Sequence, residues 1–355
     1  MARATTLHID LSAISANVVT VRTRIGAQKL MAVVKADAYG HGAVQVAKQI
    51  EGQVDALAVA MTEEAIILRE AGVAAPILVL EGPQSEDEIG LMVEMALWPA
   101  LHHSEQLIWC GQHASLLSAA WLKLDTGMHR LGFSPDTLPQ AVSAVHAAGI
   151  TDITLMSHLA AAENPDADLT SFQLAAWQEQ LKDWQGAVSL HNSAAARTRS
   201  AGASDWARLG YALYGGQING LANDETLRSA MRFATSVLAL RDVKRGESVG
   251  YGGRWVAQRD SRIATLPVGY ADGYPWAARD GAPIGIADHI APLAGRVSMD
   301  MVTVDVTDYA HIEVGAPAVL WGSQPGVDEV AQHCNTIGYE LMTRVTSRVP
   351  RCYHP

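Results

Sequence analysis

Through the first two-thirds of the chain, short apolar runs alternate with stretches whose apolar residues recur at helical spacing. The runs lie at 30–36 (LMAVVKA), 55–60 (DALAVA), 76–81 (PILVLE), 97–102, 120–125 (AWLKLD), 153–158 (ITLMSH), 187–192 and 207–213. Continuous apolar runs of this length fit strands covered on both faces, as in a parallel sheet flanked by helices. Helix punctuation falls between several of them. Ser85 with Glu88 has the spacing of a capping box. Thr62 precedes Glu63 and Glu64, and Gly72 closes that segment. Ser134-Pro135 opens another helix, with Gly149 past its end. Eight strand–helix alternations over about 220 residues predict an α/β fold, a (β/α)8 barrel of the TIM type rather than an open sheet.

After about residue 230 the pattern changes. Runs such as ATSVLAL, SRIATLPV, PIGI, IAPLAGRV and MVTVDV follow closely, broken by Gly, Pro and Asp turns, with one helical stretch near 327–343. This predicts a β-rich second domain, so that residues 1–230 form the barrel and residues 231–355 the C-terminal domain. The length of 355 residues suits such a pair.

Composition narrows the function. Apolar residues make up 49%, enough for a large core. The net charge is −11 and Lys and Arg are scattered, which argues against a nucleic-acid partner, since that requires a basic face. No run of about 18 apolar residues crosses a bilayer, and the N-terminus lacks the basic-then-apolar order of a secretory signal. Cys110, Cys334 and Cys352 are odd in number and widely spaced, as reduced thiols of a cytoplasmic protein would be.

A barrel gathers its functional groups at the C-terminal ends of its strands. Those ends supply Lys35, Asp125, His158, Asn192-Ser193 and the residues around Arg208. Lys35 leaves the apolar run LMAVV, and a dry approach disfavours its charged form and frees the amine for imine formation. From position alone, a solvated strand end is the commoner outcome for a lysine. Tyr39, with Gly40 and Gly42 allowing close backbone approach, favours a ligand. The segments 191–196 (HNSAAA) and 208–216 (RLGYALYGG) offer amides beside small residues, either a phosphate cradle or ordinary turns. In 123–132 (KLDTGMHRLG), Lys123, Asp125 and Arg130 read by themselves as a structural salt bridge. Neither HxH nor HExxH spacing occurs among the histidines, so no metal is expected, and no GxSxG marks a serine hydrolase.

Eight motifs in order, KADAYGHG (35–42), KLDTGMHRLG, HNSAAA, RLGYALYG, GYGG (250–253), GYADGYP (269–275), GRVSMDM (295–301) and GYELMTRVTSRVPR (338–351), resemble bacterial alanine racemases from end to end. The resemblance implies a barrel that binds pyridoxal 5'-phosphate, followed by a β domain, and an enzyme interconverting L- and D-alanine, either to supply cell-wall peptidoglycan or to catabolise D-alanine. Lys35 would carry the cofactor as an internal Schiff base and act on one face of the substrate. Tyr251, from the other subunit of a homodimer, would be the base on the opposite face. Racemisation requires such a pair, because a proton removed from one side must return from the other. Arg208 would face the pyridine nitrogen, with His158 orienting it. Tyr39, Ser193, Tyr339 and the amides of Gly210 and Tyr211 would hold the phosphate. Arg130 and the partner's Met299 amide would meet the substrate carboxylate, and Asp300 and Arg296 would line the entrance. Lys123 falls where many members carry a carbamylated lysine, whose negative charge would orient Arg130.

The chain departs from the family at two positions. Asp37 stands where many members have Asn, and Trp276 where relatives usually have an entrance arginine, a change that bears on substrate breadth. The alternatives are a racemase of broader specificity, a decarboxylase of the same two-domain layout, which would not need Tyr251, and a non-catalytic protein that only handles the cofactor.

Overall fold

The computed structural model describes residues 3–113, 117–198, 202–218 and 220–355. Its secondary structure opens with strand β1 (Thr6–Asp10), and eight parallel strands then close into a barrel. These are β2 (Lys29–Val33), β3 (Ala56–Val59), β4 (Ile77–Val79), β5 (Leu97–Leu101), β6 (Ala120–Lys123), β7 (Ile153–Met156), β8 (Ala187–Ser189) and β9 (Trp206–Leu209). All eight predicted strands are present, including the short β4 and β8. Closure comes from β2 on β9, with Met31 opposite Arg208 and Ala32 opposite Leu209. The strands read as unbroken apolar runs because helices cover the outside and side chains fill the inside.

Three tryptophans crowd the N-terminal end of the barrel. Trp121 and Trp206, from strands that are not neighbours, lie 5.5 Å apart between ring centres, so both point inward. Trp98 packs against both at 6.4 and 6.1 Å, and the Lys29 ammonium sits 5.0 Å over Trp206. Side chains alternate along a strand, so Lys123 follows Trp121 on the inward face and Arg208 follows Trp206. Lys29, Met31 and Val33 likewise share a face whose next position is Lys35. The bulky layer, with Lys29, closes one end, and Lys123 and Arg208 sit towards the other.

The second compact unit comprises Met1–Ile14, Tyr214–Gln217 and Leu227–Pro355. Its six-stranded sheet runs in the order His289–Pro292, Pro283–Ile286, Pro317–Trp321, β10 (Met231–Ser236), β1 and Arg351–His354. Here the sequence pattern and the structure differ. The pattern assigns the N-terminal residues to the barrel, whereas β1 pairs antiparallel with β10 and parallel with Arg351–His354. The single helical stretch near 327–343 is two helices, Val327–His333 and Gly338–Thr343. Ser85 does precede the helix Glu86–Glu94, but its side chain makes no capping bond. Glu88 instead accepts the Thr62 hydroxyl at 2.5 Å. No helix among the described residues is long and apolar enough to cross a membrane.

Candidate active site

The C-terminal mouth of the barrel brings together Lys35, Tyr39, Lys123, Arg130, His158, Ser193, Arg208, Gly210 and Tyr211. Arg208 is the best anchored. Its guanidinium is buried and donates to Ser189 Oγ at 2.5 Å and to the Ser157 carbonyl at 2.6 Å. Burial lowers the Arg208 pKa to about 10, so the group stays charged at neutral pH. The anchors are the two serines rather than His158, and neither serine stands out in the sequence.

Lys123 and His158 feel the same field. Burial, then Arg208 and Arg130, push the Lys123 ammonium down to about 8. Burial followed by Arg208, Lys123, Arg130 and Lys35 pushes the His158 imidazolium down to about 3. His158 is therefore a neutral imidazole throughout the physiological range. The expected salt bridge through Asp125 does not form. Asp125 caps its own loop instead, its Oδ1 accepting the amides of Gly127, Met128 and His129 at 2.9–3.0 Å. The loop doubles back so that Phe133 donates to the Lys123 carbonyl at 2.8 Å and Asp125 to that of Phe133 at 2.9 Å. Gly132 permits this, because a Cβ there would lie 2.6 Å from the Asp125 nitrogen. Lys123, Arg130, Ser157 and His158 line one cavity as a result.

The segment after Lys35 is strained. Ala36, Asp37, Ala38 and Tyr39 all have φ between 51° and 54°, a left-handed turn without a glycine. Each such residue costs roughly 1–2 kcal/mol. The turn carries buried Tyr39 to β9, where its hydroxyl would be 2.3 Å from a Cβ placed on Gly210. Ser193 Oγ, at the start of the helix Ser193–Thr198, accepts the amides of Gly210 and Ala212 at 3.3 and 3.4 Å. Two hydroxyls and a run of amides thus meet where only a glycine fits, as in an anion-binding nest. The donors suit a phosphate monoester, and cations flank them. Ala212 belongs to this cradle although the sequence reading names only Gly210 and Tyr211.

The remaining predicted residues lie on the second unit. Tyr251 is 71% exposed on a turn flanked by Gly250 at φ 76° and Gly252 at φ 71°. Met299 is 53% exposed, and Tyr339 is exposed on the helix Gly338–Thr343. Asp300 pairs with Arg348 at 2.9 Å. The Arg296 guanidinium lies 5.0 Å over the ring of Trp276.

A TIM-type barrel with a lysine, an anion cradle and a caged arginine at one mouth defines a class: enzymes that hold a phosphorylated cofactor beside an amine. Models of the N-terminal and C-terminal domains of alanine racemase match residues 9–218 and 230–353. This chain therefore belongs to the alanine racemase family. It is 42% identical to the alanine racemase of Chromohalobacter salexigens, over 99% of this chain and 98% of that one. The biosynthetic alanine racemase of Pseudomonas aeruginosa has a solved structure with 41% identity and a TM-score of 0.94, covering 99% and 100% of the two chains. The Bartonella henselae alanine racemase, solved with covalently bound pyridoxal phosphate, has 29% identity and a TM-score of 0.89, covering 99% of both.

Proposed function

We propose that this protein is a pyridoxal-phosphate-dependent alanine racemase working by two bases on opposite faces of the substrate. The observation that carries the reading is the meeting of Lys35, the Tyr39–Ser193–Gly210 cradle and the caged Arg208 at one barrel mouth. When bound, pyridoxal phosphate draws electrons from the amino acid and makes its Cα proton removable. Lys35 would hold the cofactor through its side-chain amine. Tyr39, Ser193 and the amides of Gly210 and Tyr211 hold the phosphate, and the resemblance adds Tyr339. Arg208 offers the ring nitrogen an N–H that it does not release, since a guanidinium gives up its proton too reluctantly. His158 stays neutral beside it and adds no further positive charge. Arg130 and the partner subunit's Met299 amide receive the substrate carboxylate, while Asp300 and Arg296 line the entrance. Lys35 Nζ moves the proton on one face, and the partner subunit's Tyr251 Oη moves it on the other.

A homodimer is part of this reading. Among what supports it is the exposure of Tyr251 and Met299, which leaves both side chains free to reach a second protomer. A cytoplasmic location accords with the free thiols of Cys110, Cys334 and Cys352.

Incubation with L-alanine, followed by circular dichroism and carbon dioxide release, tests the activity. Decay of the optical signal without gas supports racemisation. Carbon dioxide release favours the decarboxylase, and an unchanged signal sinks both. A panel of amino acids measured in the same way sets the breadth that Trp276 allows.

A further inference from the structure

The left-handed turn at Ala36–Tyr39 needs something outside itself to hold it. Inside the turn, Ala38 donates to the Val34 carbonyl at 2.9 Å and Gly42 to that of Asp37 at 2.9 Å, while Asp37 Oδ1 accepts the Ala43 amide at 2.7 Å. The first amide, that of Ala36, goes elsewhere. It donates to Glu64 Oε1 at 2.6 Å, across 28 residues. The other oxygen of the same carboxylate, Oε2, accepts the Ala60 amide at 2.7 Å. Ala36 follows the end of β2 and Ala60 follows the end of β3, so one carboxylate ties together two neighbouring strand ends.

An ordinary helix cap does not account for this. Glu64 is the third residue of the helix Thr62–Glu70, and a capping glutamate at that position reaches back to the N-cap amide. That contact, to the Met61 amide, is the longest of the three at 3.4 Å. The two short bonds go to residues outside the helix.

We propose that Glu64 is a positioning residue for Lys35, its two carboxylate oxygens holding the left-handed turn that sets Lys35 and Tyr39 on one mouth. The inference rests on the reading of Lys35 as the cofactor lysine. A carboxylate has two acceptors and no donor, which this junction requires. A glutamine has one acceptor and an NH2 that would face an amide N–H, so it satisfies either Ala36 or Ala60. With Ala36 released, the chain is free to relax to right-handed geometry, and Tyr39 then loses its aim at Gly210.

The test compares the loaded wild-type enzyme with Glu64→Gln and Glu64→Asp, and with Thr62→Ala as a control. Thr62→Ala removes a bond from the start of the same helix without touching the turn. Glu64→Gln should lower kcat about tenfold to hundredfold, the usual consequence of a small misplacement of a reacting group. Glu64→Asp, which keeps the charge on a shorter arm, should fall in between. In cofactor-free protein, the amides of residues 36–39 should exchange with deuterium faster in Glu64→Gln than in wild type. Thr62→Ala should lower the melting temperature while keeping both the wild-type kcat and the wild-type exchange at 36–39. A Glu64→Gln enzyme with wild-type kcat and exchange overturns the proposal, as does an equal loss of kcat in Thr62→Ala. Should Glu64→Gln fail to fold, Glu64→Asp with wild-type kcat and exchange overturns it. Borohydride reduction of the wild-type holoenzyme and peptide mass analysis locate the cofactor. Cofactor on another lysine overturns the reading of Lys35 together with this proposal, whereas cofactor on Lys35 leaves the Glu64 comparison to decide alone.

Discussion

Two side chains at the mouth respond to the same cations in ways that can be measured. The folded protein binds a proton at His158 only below about 3, while the unfolded chain binds one below the ordinary 6.5. Between those values the unfolded state holds more protons, so acid favours unfolding there and stability rises with pH. One such group gives a slope of at most about 1.4 kcal/mol per pH unit. Denaturation midpoints of His158→Gln should therefore fall less steeply than those of wild type between pH 6.5 and 3. Equal slopes would mean that the imidazole is not held neutral. Lys123 titrates near 8 rather than at the usual 10.5, so much of its amine is neutral under mildly alkaline conditions. Only the neutral amine adds carbon dioxide, forming the carbamate and releasing a proton. We expect a carbamate signal from labelled bicarbonate to rise as pH climbs through about 8, and to be absent in Lys123→Ala. That variant should also lose activity that chloride or a small carboxylate partly restores, because the negative charge orienting Arg130 has been removed. Full activity without rescue would remove carbamylation from the account.

Among the elements, the approach of the turn to β9 makes the sharpest demand on sequence. A methyl on Gly210 would meet the Tyr39 hydroxyl at 2.3 Å, inside any tolerable contact, so the ring must move away from the cradle. Gly210→Ala should therefore weaken cofactor retention by roughly tenfold, about 1.4 kcal/mol, while kcat at saturating cofactor changes far less. Titration of the cofactor-free variant by absorbance measures this, and unaltered affinity would show that the cradle does not hold the phosphate. The barrel strands were legible because a strand covered on both faces is mostly apolar, as in β3 and β4, while the three-residue β8 carries the polar Ser189 and is marked least. The turn after β2 was not legible. Ala36, Asp37, Ala38 and Tyr39 carry no mark of positive φ, and only Gly40 and Gly42 hinted at an unusual path. Ser157, Ser189 and Glu64 were hidden for a related reason. Their partners are up to dozens of residues away, and hydrogen bonds to backbone leave no periodicity to read.

At the level of the whole molecule, local pattern identified the two architectures but not every membership. Strand β1 alternates buried and half-buried residues like many edge or sheet strands, and nothing local reveals that its partners lie more than 200 residues away. Nor does a single chain's sequence say which protomer completes a site, although the resemblance to the racemases implies that Tyr251 comes from the partner. Mixing two inactive variants separates the possibilities. Lys35→Ala and Tyr251→Phe should each abolish racemisation as homodimers, since each removes one of the two bases. If the bases belong to different protomers, a mixed dimer has one site missing both bases and one site with Lys35 and Tyr251 intact. Random reassortment of equal amounts makes about half the dimers mixed, each with one working site of two, so about a quarter of wild-type activity should return. If both bases came from the same protomer, every site in the mixture would lack one of them and no activity would return. The regained activity should appear only after denaturation and joint refolding, or slow subunit exchange, and should decline on dilution as dimers dissociate. Recovery without reassortment, or persistence in monomers, would contradict a shared site.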